Sequence, residues 1–277
     1  MKKAFVVSVL CFFTLIGLAQ TIRVASYNIR MKTDNDVGNL WEVRKKHLTD
    51  LVLFHEFEIF GIQEGFLEQL QDMQQNLPDY AYVGVGRDDG HSKGEHSAIF
   101  YNTTRFKALQ SGTFWLSDSD TERPNKGWDA VLPRICSWAV LEDLSNHKKF
   151  IFMNTHFDHI GRKARTESAK LILAKAKEFA KDLPLILTGD FNVDENDEAY
   201  FTLANSGVVQ DTYTLAPLKY EPNSSFNGWG ESLKEKSRID HIFITKPFKV
   251  LKYGILTDTY MGKFPSDHFP VMSVLKW

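Results

Sequence analysis

The chain has 277 residues, of which 43% are hydrophobic and 25% charged; this supplies one large core and excludes a disordered or fibrous chain. The formal net charge of −2 lacks the basic excess of a duplex-binding protein. No repeat, low-complexity tract or Pro/Gly/Ser linker divides the chain, so one domain over residues 20–277 is expected.

The first residues, "MKKAFVVSVLCFFTLIGLAQ", combine Lys2 and Lys3, a short apolar stretch and small residues ahead of a polar one. They read as a secretory signal peptide over residues 1–19, with cleavage after Ala19. The apolar segment is too short to be a comfortable membrane span, so no transmembrane segment is expected in the mature chain. Losing Lys2 and Lys3 lowers the net charge by two, from −2 to −4. It also removes Cys11, leaving Cys136 without a partner for an intrachain disulfide in an exported protein, periplasmic or extracellular.

Strand-like runs then recur to the C-terminus: "TIRVASYNI", "FEIFGIQE", "YAYVGVG", "SAIFYN", "ALQSGTFWL", "RICSWAVLED", "KFIFMNTHFD", "LPLILTGDFN", "RIDHIFIT", "FKVLKYGIL" and "FPVMSVLKW". All are rich in β-branched and aromatic residues and are punctuated by Gly, Asn, Asp and Pro. Helical periodicity appears at Trp41, Leu48, Leu51, Val52 and His55, and again at Ala169, Ile172, Leu173, Ala176, Phe179 and Ala180. So many strands, separated by helices, predict two sheets packed face to face with helices outside.

Several apolar runs end in polar groups that a core would reject. Asn28 closes the first run and Glu64 the second. "FMNTHFDH" delivers Asn154, His156 and Asp158 on one parity, and "TGDFN" delivers Asp190 and Asn192. Asp240 begins a strand, and Ser266, Asp267 and His268 precede the last one. Any one of these reads equally well as a turn or a helix cap. Together they read as a site, because burying so many ionisable groups without a ligand is costly.

The sequence lacks G-x-S-x-G, H-E-x-x-H and the phosphate-binding loop ending in Gly-Lys-Ser/Thr. Carboxylate and amide oxygens are hard ligands suited to Mg²⁺ or Mn²⁺, which would neutralise a phosphoryl oxygen while a carboxylate activates water. This chemistry points to phosphate-ester hydrolysis.

The ordered series Asn28, Glu64, "NTHFDH", "TGDFN", "RIDHIF" and "SDHFPV" resembles the endonuclease/exonuclease/phosphatase superfamily over essentially the whole mature chain. The resemblance implies a four-layered α/β sandwich, two mixed sheets flanked by helices. It implies Glu64 as principal metal ligand, with Asn28 and Asp267 at or near the metal and Asn28 also near the phosphate. Asp190 would orient or deprotonate water, Asn192 would hold it, and His268, oriented by Asp240, would contact the phosphate together with His156. Arg134 falls where relatives often place a phosphate-facing base, and Asn154 joins the substrate-binding set. Where some relatives carry an acidic residue this chain has Arg30, leaving Asp34 or Asp36 to compensate; His241, opposite in parity to Asp240, is expected to pack.

Specificity should reside in loops. Trp128 and Trp229 lie in polar loops, placed to stack on a base or sugar, meet a lipid surface, or pin their own loops. His96 lies in a third loop, where a histidine either reaches the site or is merely solvated. The expected activity is an exported Mg²⁺- or Mn²⁺-dependent phosphoesterase acting on a sugar-phosphate or lipid-headgroup ester. A secreted nuclease is the alternative, and a non-catalytic binding module retaining the fold ranks below both. No protein partner is evident. The low net charge and the absence of a Lys/Arg stripe favour the small substrate.

Overall fold

A computed structural model describes residues 21–180, 183–233 and 237–277. The expected signal peptide lies outside them. In chain order the elements are β1 (Thr21–Asn28), α1 (Trp41–Phe54), β2 (Ile59–Gln63), α2 (Leu67–Asn76), β3 (Tyr80–Val83), β4 (Ile99–Asn102), β5 (Phe106–Trp115), β6 (Ile135–Asp143) and β7 (Lys148–His156). There follow α3 (Arg162–Ala180), β8 (Leu185–Asp190), α4 (Glu198–Ala204), β9 (Gln210–Asp211), α5 (Thr212–Leu215), β10 (Lys219–Tyr220), β11 (Asp240–Ile244), β12 (Lys249–Ile255) and β13 (Val271–Lys276). Each strand-like run named above contains a strand; the two-residue β9 and β10 are too short to carry periodicity.

The strands form two sheets, ordered β10-β12-β13-β1-β2-β4-β3 and β5-β6-β7-β8-β11-β9. Between them packs one cluster, with Ile22, Val24, Ile59 and Val271 from the first sheet against Leu141, Phe152, Ile186 and Ile242 from the second. Trp41, Leu48 and Val52 of α1, with Leu70 and Met73 of α2, cover the outer face of the first sheet. Ala169, Ile172 and Ala176 of α3, with Ala199 and Leu203 of α4, cover the second. Because both faces of each sheet are covered, the central strands are apolar on both parities. The fold is the expected four-layered α/β sandwich of two mixed sheets flanked by helices.

Connectivity sets where the polar ends meet. β1 runs parallel to β2 across α1, and β7 parallel to β8 across α3, so each pair finishes at the same edge of its sheet. β13 is antiparallel to β1, and β11 is antiparallel to β8, so their beginnings return to that edge. The carboxyl ends of parallel strands are where open sheets form sites.

Candidate active site

The end of β7, the end of β8 and the start of β11 lie in one row, with His156 paired to Asp190 and Asp190 to Asp240. Residues at matching register share a face. All three therefore point toward the first sheet, which answers with Asn28 at the end of β1, Glu64 just after β2, and Asp267 and His268 before β13. The sequence reading supplied the parity, and the register supplies the row.

Turns finish what the strands begin. Arg30, Glu64 and Asn192 all have left-handed backbone, with φ of 57°, 65° and 51°. Such conformations cost roughly 1–3 kcal/mol in non-glycine residues and gather at functional sites. Strand alternation was expected to aim Asn192 alongside Asp190. Instead β8 stops at Asp190, whose Oδ1 accepts the Asn192 backbone N–H at 2.9 Å, and the turn brings Asn192 round to the same cavity. That side chain is fixed by donating to the Phe157 carbonyl at 3.0 Å.

The cavity has a volume of about 520 Å³ and collects Glu64, His156, Asp190, Asn192, Asp267, His268 and Arg134. Glu64, His156 and Asp190 offer ligand atoms that all lie within 4.8 Å of one another. His156 Nε2 and His268 Nε2 stand 3.6 and 3.7 Å from Asp190 Oδ2. Asn28, expected as a ligand, sits at this centre as a donor: its Nδ2 donates to Glu64 Oε1 and to Asp190 Oδ2, each at 2.9 Å. Its Oδ1 accepts the Arg30 backbone N–H at 3.0 Å, which fixes the amide with nitrogen toward the carboxylates.

Charge states follow from these contacts. Burial alone would push the His268 imidazole down, but the Asp240 carboxylate, hydrogen-bonded at 2.9 Å to Nδ1, outweighs it and raises the pKa to about 10. His268 is therefore an imidazolium at neutral pH. Burial and then the Arg134 charge push His156 down to about 3, leaving it neutral. Burial and the nearby Asp240 push Asp190 up, as suits a proton acceptor. Burial raises Asp267 to about 6, with His268 opposing and Glu64 adding to the shift.

These residues fit a hard divalent cation. Glu64 and Asp267 supply carboxylate oxygens, and their mutual repulsion is what a cation would relieve. Arg134 Nη1 is buried with no hydrogen-bond partner among the described residues, a donor suited to an anion, while the likewise unpaired His156 Nδ1 stands 3.7 Å from the Glu95 carboxylate. Arg134 is only 3% exposed. Its Nε donates to Asp158 at 3.3 Å and its Nη2 faces His159 Nδ1 at 2.9 Å, so its third nitrogen alone is left for the cavity.

Other expected site residues lie elsewhere. Asn154 shares a face with His156 but sits two residues deeper, fully buried between the sheets. Its Nδ2 donates to the Ile62 and Ala98 carbonyls at 2.8 and 3.0 Å, and its Oδ1 accepts from Gln63 and Thr188 at 2.7 and 3.0 Å. It fastens one sheet to the other and has no group left for a substrate. Trp128 and Trp229 are half-buried and do not line the cavity; the Arg44 guanidinium covers the Trp229 ring at 5.5 Å, pinning its loop. His96 is turned inward, its backbone N–H donating to Gly65 O at 2.8 Å, and its neighbour Glu95 lines the cavity instead. Asp36 forks onto Arg30 rather than facing the cavity. His241 packs, fully buried, with Nε2 against the Val193 carbonyl at 2.8 Å.

The wall also contains Arg30, Met31, Leu132, His159, Phe226 and Ile239. Apart from Arg30, which departs from the family pattern, these come from loops whose sequence has no period to read.

Residues 25–268 match the Endonuclease/Exonuclease/phosphatase family. The chain belongs to that family. Its fold superposes on a mannosyl-6-phosphatase of Bacteroides thetaiotaomicron with a TM-score of 0.90 and 48% identity, covering 92% of this chain and all of that one. A family member from Bacteroides vulgatus gives 0.89 and 36%, covering 93% of this chain and 99% of the other. The chain is also 24% identical to the CCR4-Not complex 3'-5'-exoribonuclease subunit Ccr4 of Mycosarcoma maydis, over 92% of its own length but only 50% of that protein. Phosphatases and nucleases thus stand among the similar proteins of this phosphoesterase family, and no described helix is long and apolar enough to cross a membrane.

Proposed function

We propose that this protein is an exported, divalent-metal-dependent phosphoric ester hydrolase acting on a small phosphoester of the sugar-phosphate or lipid-headgroup kind, with Mg²⁺ or Mn²⁺ as its cofactor. The observation that carries the reading is the convergence of Glu64, Asp190, His156, His268, Arg134 and Asp267 on one cavity of about 520 Å³. That volume holds a monosaccharide-sized ligand. The 48% identity to a mannosyl-6-phosphatase supports the sugar-phosphate choice, and the formal charge of −2 weighs against a polyanion track.

Bound by Glu64 and Asp267, the cation would withdraw charge from the phosphoryl group and stabilise the leaving oxygen. Arg134 Nη1 and the His268 imidazolium bind and orient the non-bridging oxygens. Asp190, made more basic by burial, accepts a proton from the attacking water, and Asn28 holds Asp190 against Glu64. Neutral His156 has Nε2 available to position water or phosphate. Asp240 keeps His268 charged and fixed.

The test is phosphate release from hexose 6-phosphates with Mg²⁺, Mn²⁺ or EDTA, beside plasmid DNA, RNA and sphingomyelin, with Asp190→Ala as the blank. Metal-dependent release from the sugar phosphate is expected. Cleavage of nucleic acid alone would establish the nuclease reading that the Ccr4 similarity favours. Activity surviving Asp190→Ala combined with His268→Ala would remove the assigned chemistry altogether. Mass determination of the mature N-terminus tests cleavage after Ala19.

A further inference from the structure

Arg30 lies two residues past the end of β1, where its left-handed backbone is fixed from both sides. Its N–H donates to Asn28 Oδ1, and its carbonyl accepts from Arg44 Nη2 at 2.7 Å and Gln69 Nε2 at 3.0 Å. The side chain is equally determined. Asp36 accepts from Nε at 2.9 Å and from Nη2 at 3.0 Å, a fork that sets the plane of the guanidinium. Nη1 is left without a hydrogen-bond partner among the described residues, 3.9 Å from Glu64 Oε2, while Nε lies 3.7 Å from Asp267 Oδ2. A permanent cation is thus held on the cavity wall beside the two carboxylates best suited to a metal.

A second arginine at the same cavity is held in a similar way. Arg134, which also lines the cavity, precedes β6 of the second sheet; Asp158 and His159 hold its Nε and Nη2, and its buried Nη1 has no hydrogen-bond partner among the described residues. Arg30 follows β1 of the first sheet, Arg134 precedes β6 of the second, and both line the cavity, so a phosphoryl group bound there meets a guanidinium contributed by each sheet. A phosphate monoester at neutral pH carries close to two negative charges and three non-bridging oxygens, whereas a diester carries one charge and two such oxygens. A diester must also place its second alkyl or aryl group against the cavity wall. On the Arg30 side that group would strip water from a guanidinium nitrogen and leave it only Glu64 Oε2 at 3.9 Å, beyond hydrogen-bond distance, which is unfavourable.

Building on the phosphoesterase reading, we propose that Arg30 is the residue that selects phosphate monoesters over diesters, its free Nη1 binding the terminal oxygen that only a monoester offers. The reaction it favours is phosphomonoester hydrolysis, in which water adds to phosphorus and the P–O bond to the alcohol breaks. The products are inorganic phosphate and the free alcohol, which takes up a proton.

The experiment compares p-nitrophenyl phosphate with bis(p-nitrophenyl) phosphate, which share a chromophore, in the wild-type protein, Arg30→Gln and Arg30→Lys, all with saturating Mg²⁺. Calorimetric binding of inorganic phosphate to each is the readout independent of turnover. Arg30→Gln should lower the monoester-to-diester ratio of kcat/KM about 10–100-fold and weaken phosphate binding by a similar factor, as expected for loss of one charge-assisted hydrogen bond. Arg30→Lys keeps the charge without the fork and should fall between. A ratio that stays constant while both activities drop, or phosphate affinity unchanged in Arg30→Gln, overturns the role of Arg30 and leaves the phosphoesterase reading standing. A wild-type protein that prefers the diester also overturns it. A folded wild-type protein that hydrolyses neither ester with any divalent metal overturns both. Unfolding transitions well above the assay temperature and wild-type circular dichroism in both Arg30→Gln and Arg30→Lys exclude misfolding as the cause.

Discussion

His268 and Asp240 form the pair whose consequences are simplest to measure. The pKa of His268, raised from an ordinary value near 6.5 to about 10, means that the native state holds its proton more tightly than the unfolded chain does. The stabilisation this gives is complete below pH 6.5 and is lost as pH rises toward about 10. Asp240→Asn should therefore lower Tm most near pH 6.5, with the deficit shrinking as pH rises toward 10; a deficit constant across that range would show that the pair is not an ion pair. Turnover should fall about 10²–10⁴-fold in His268→Ala, measured with metal saturating, because a charged donor to the phosphoryl oxygens is removed. Asn154 predicts the opposite pattern. In Asn154→Ala four hydrogen bonds between buried groups are lost, although Gln63, Thr188 and the Ala98 carbonyl each keep a second partner, and urea unfolding should show about 1–3 kcal/mol less stability. The KM of the folded fraction should stay within about twofold, since no free polar atom of Asn154 faces the cavity.

At the scale of the strand, the site depends on two sheets approaching closely enough for their ends to share a cavity. Gly61 in β2 shows how close that is: a Cβ there would lie 2.2 Å from Asn154 Oδ1 and 2.4 Å from Thr188 Oγ1 of the facing sheet. Gly61→Ala must therefore push β2 away from β7 and β8 and carry Glu64, three residues on, with it. We expect a loss of about 1–3 kcal/mol in stability, and a weaker metal affinity by calorimetry that exceeds the weakening in Asn154→Ala. Equal metal affinities in the two variants would mean that the position of β2 does not set the position of Glu64. A second constraint is the register of β8 against β7 and β11, since a slip of one residue would turn Asp190 to the outer face.

For the molecule as a whole, the cavity edge gathers Glu64, Asp190 and Asp267 within a small volume, and His268, Arg30 and Arg44 offset the cost only in part, since burial and the Glu64 charge still raise Asp267 to about 6. Binding of Mg²⁺ should therefore stabilise the native state, by about 2.7 kcal/mol at a concentration 100-fold above Kd. The measurement is Tm against Mg²⁺ concentration, with EDTA as the starting point. Wild type should rise with metal, whereas Glu64→Gln and Asp267→Asn should begin at a higher Tm in EDTA and respond little. A metal response undiminished in both variants would place the ion elsewhere.

What the amino-acid sequence determined on its own was periodic or chemical. Alternation and β-branched composition gave the long strands, the 3.6-residue stripes gave α1 and α3, and residue type marked Asn28, Glu64, Asp190 and His268 as polar groups at strand ends that a core would reject. Side-chain direction within one element is a local property, so these readings needed no partner. Depth, pairing and loop course are not local. Asn154 and His156 share a face of β7, yet one is sealed between the sheets and the other lies at the cavity, because the facing strand ends between them in height. Trp229 lies under Arg44 from α1, and Arg30 is aimed by Asp36 from the loop that follows it. Only the packing of the two sheets, driven by burial of the apolar layer between them, decided which polar ends face one another and therefore which of them can share a phosphate.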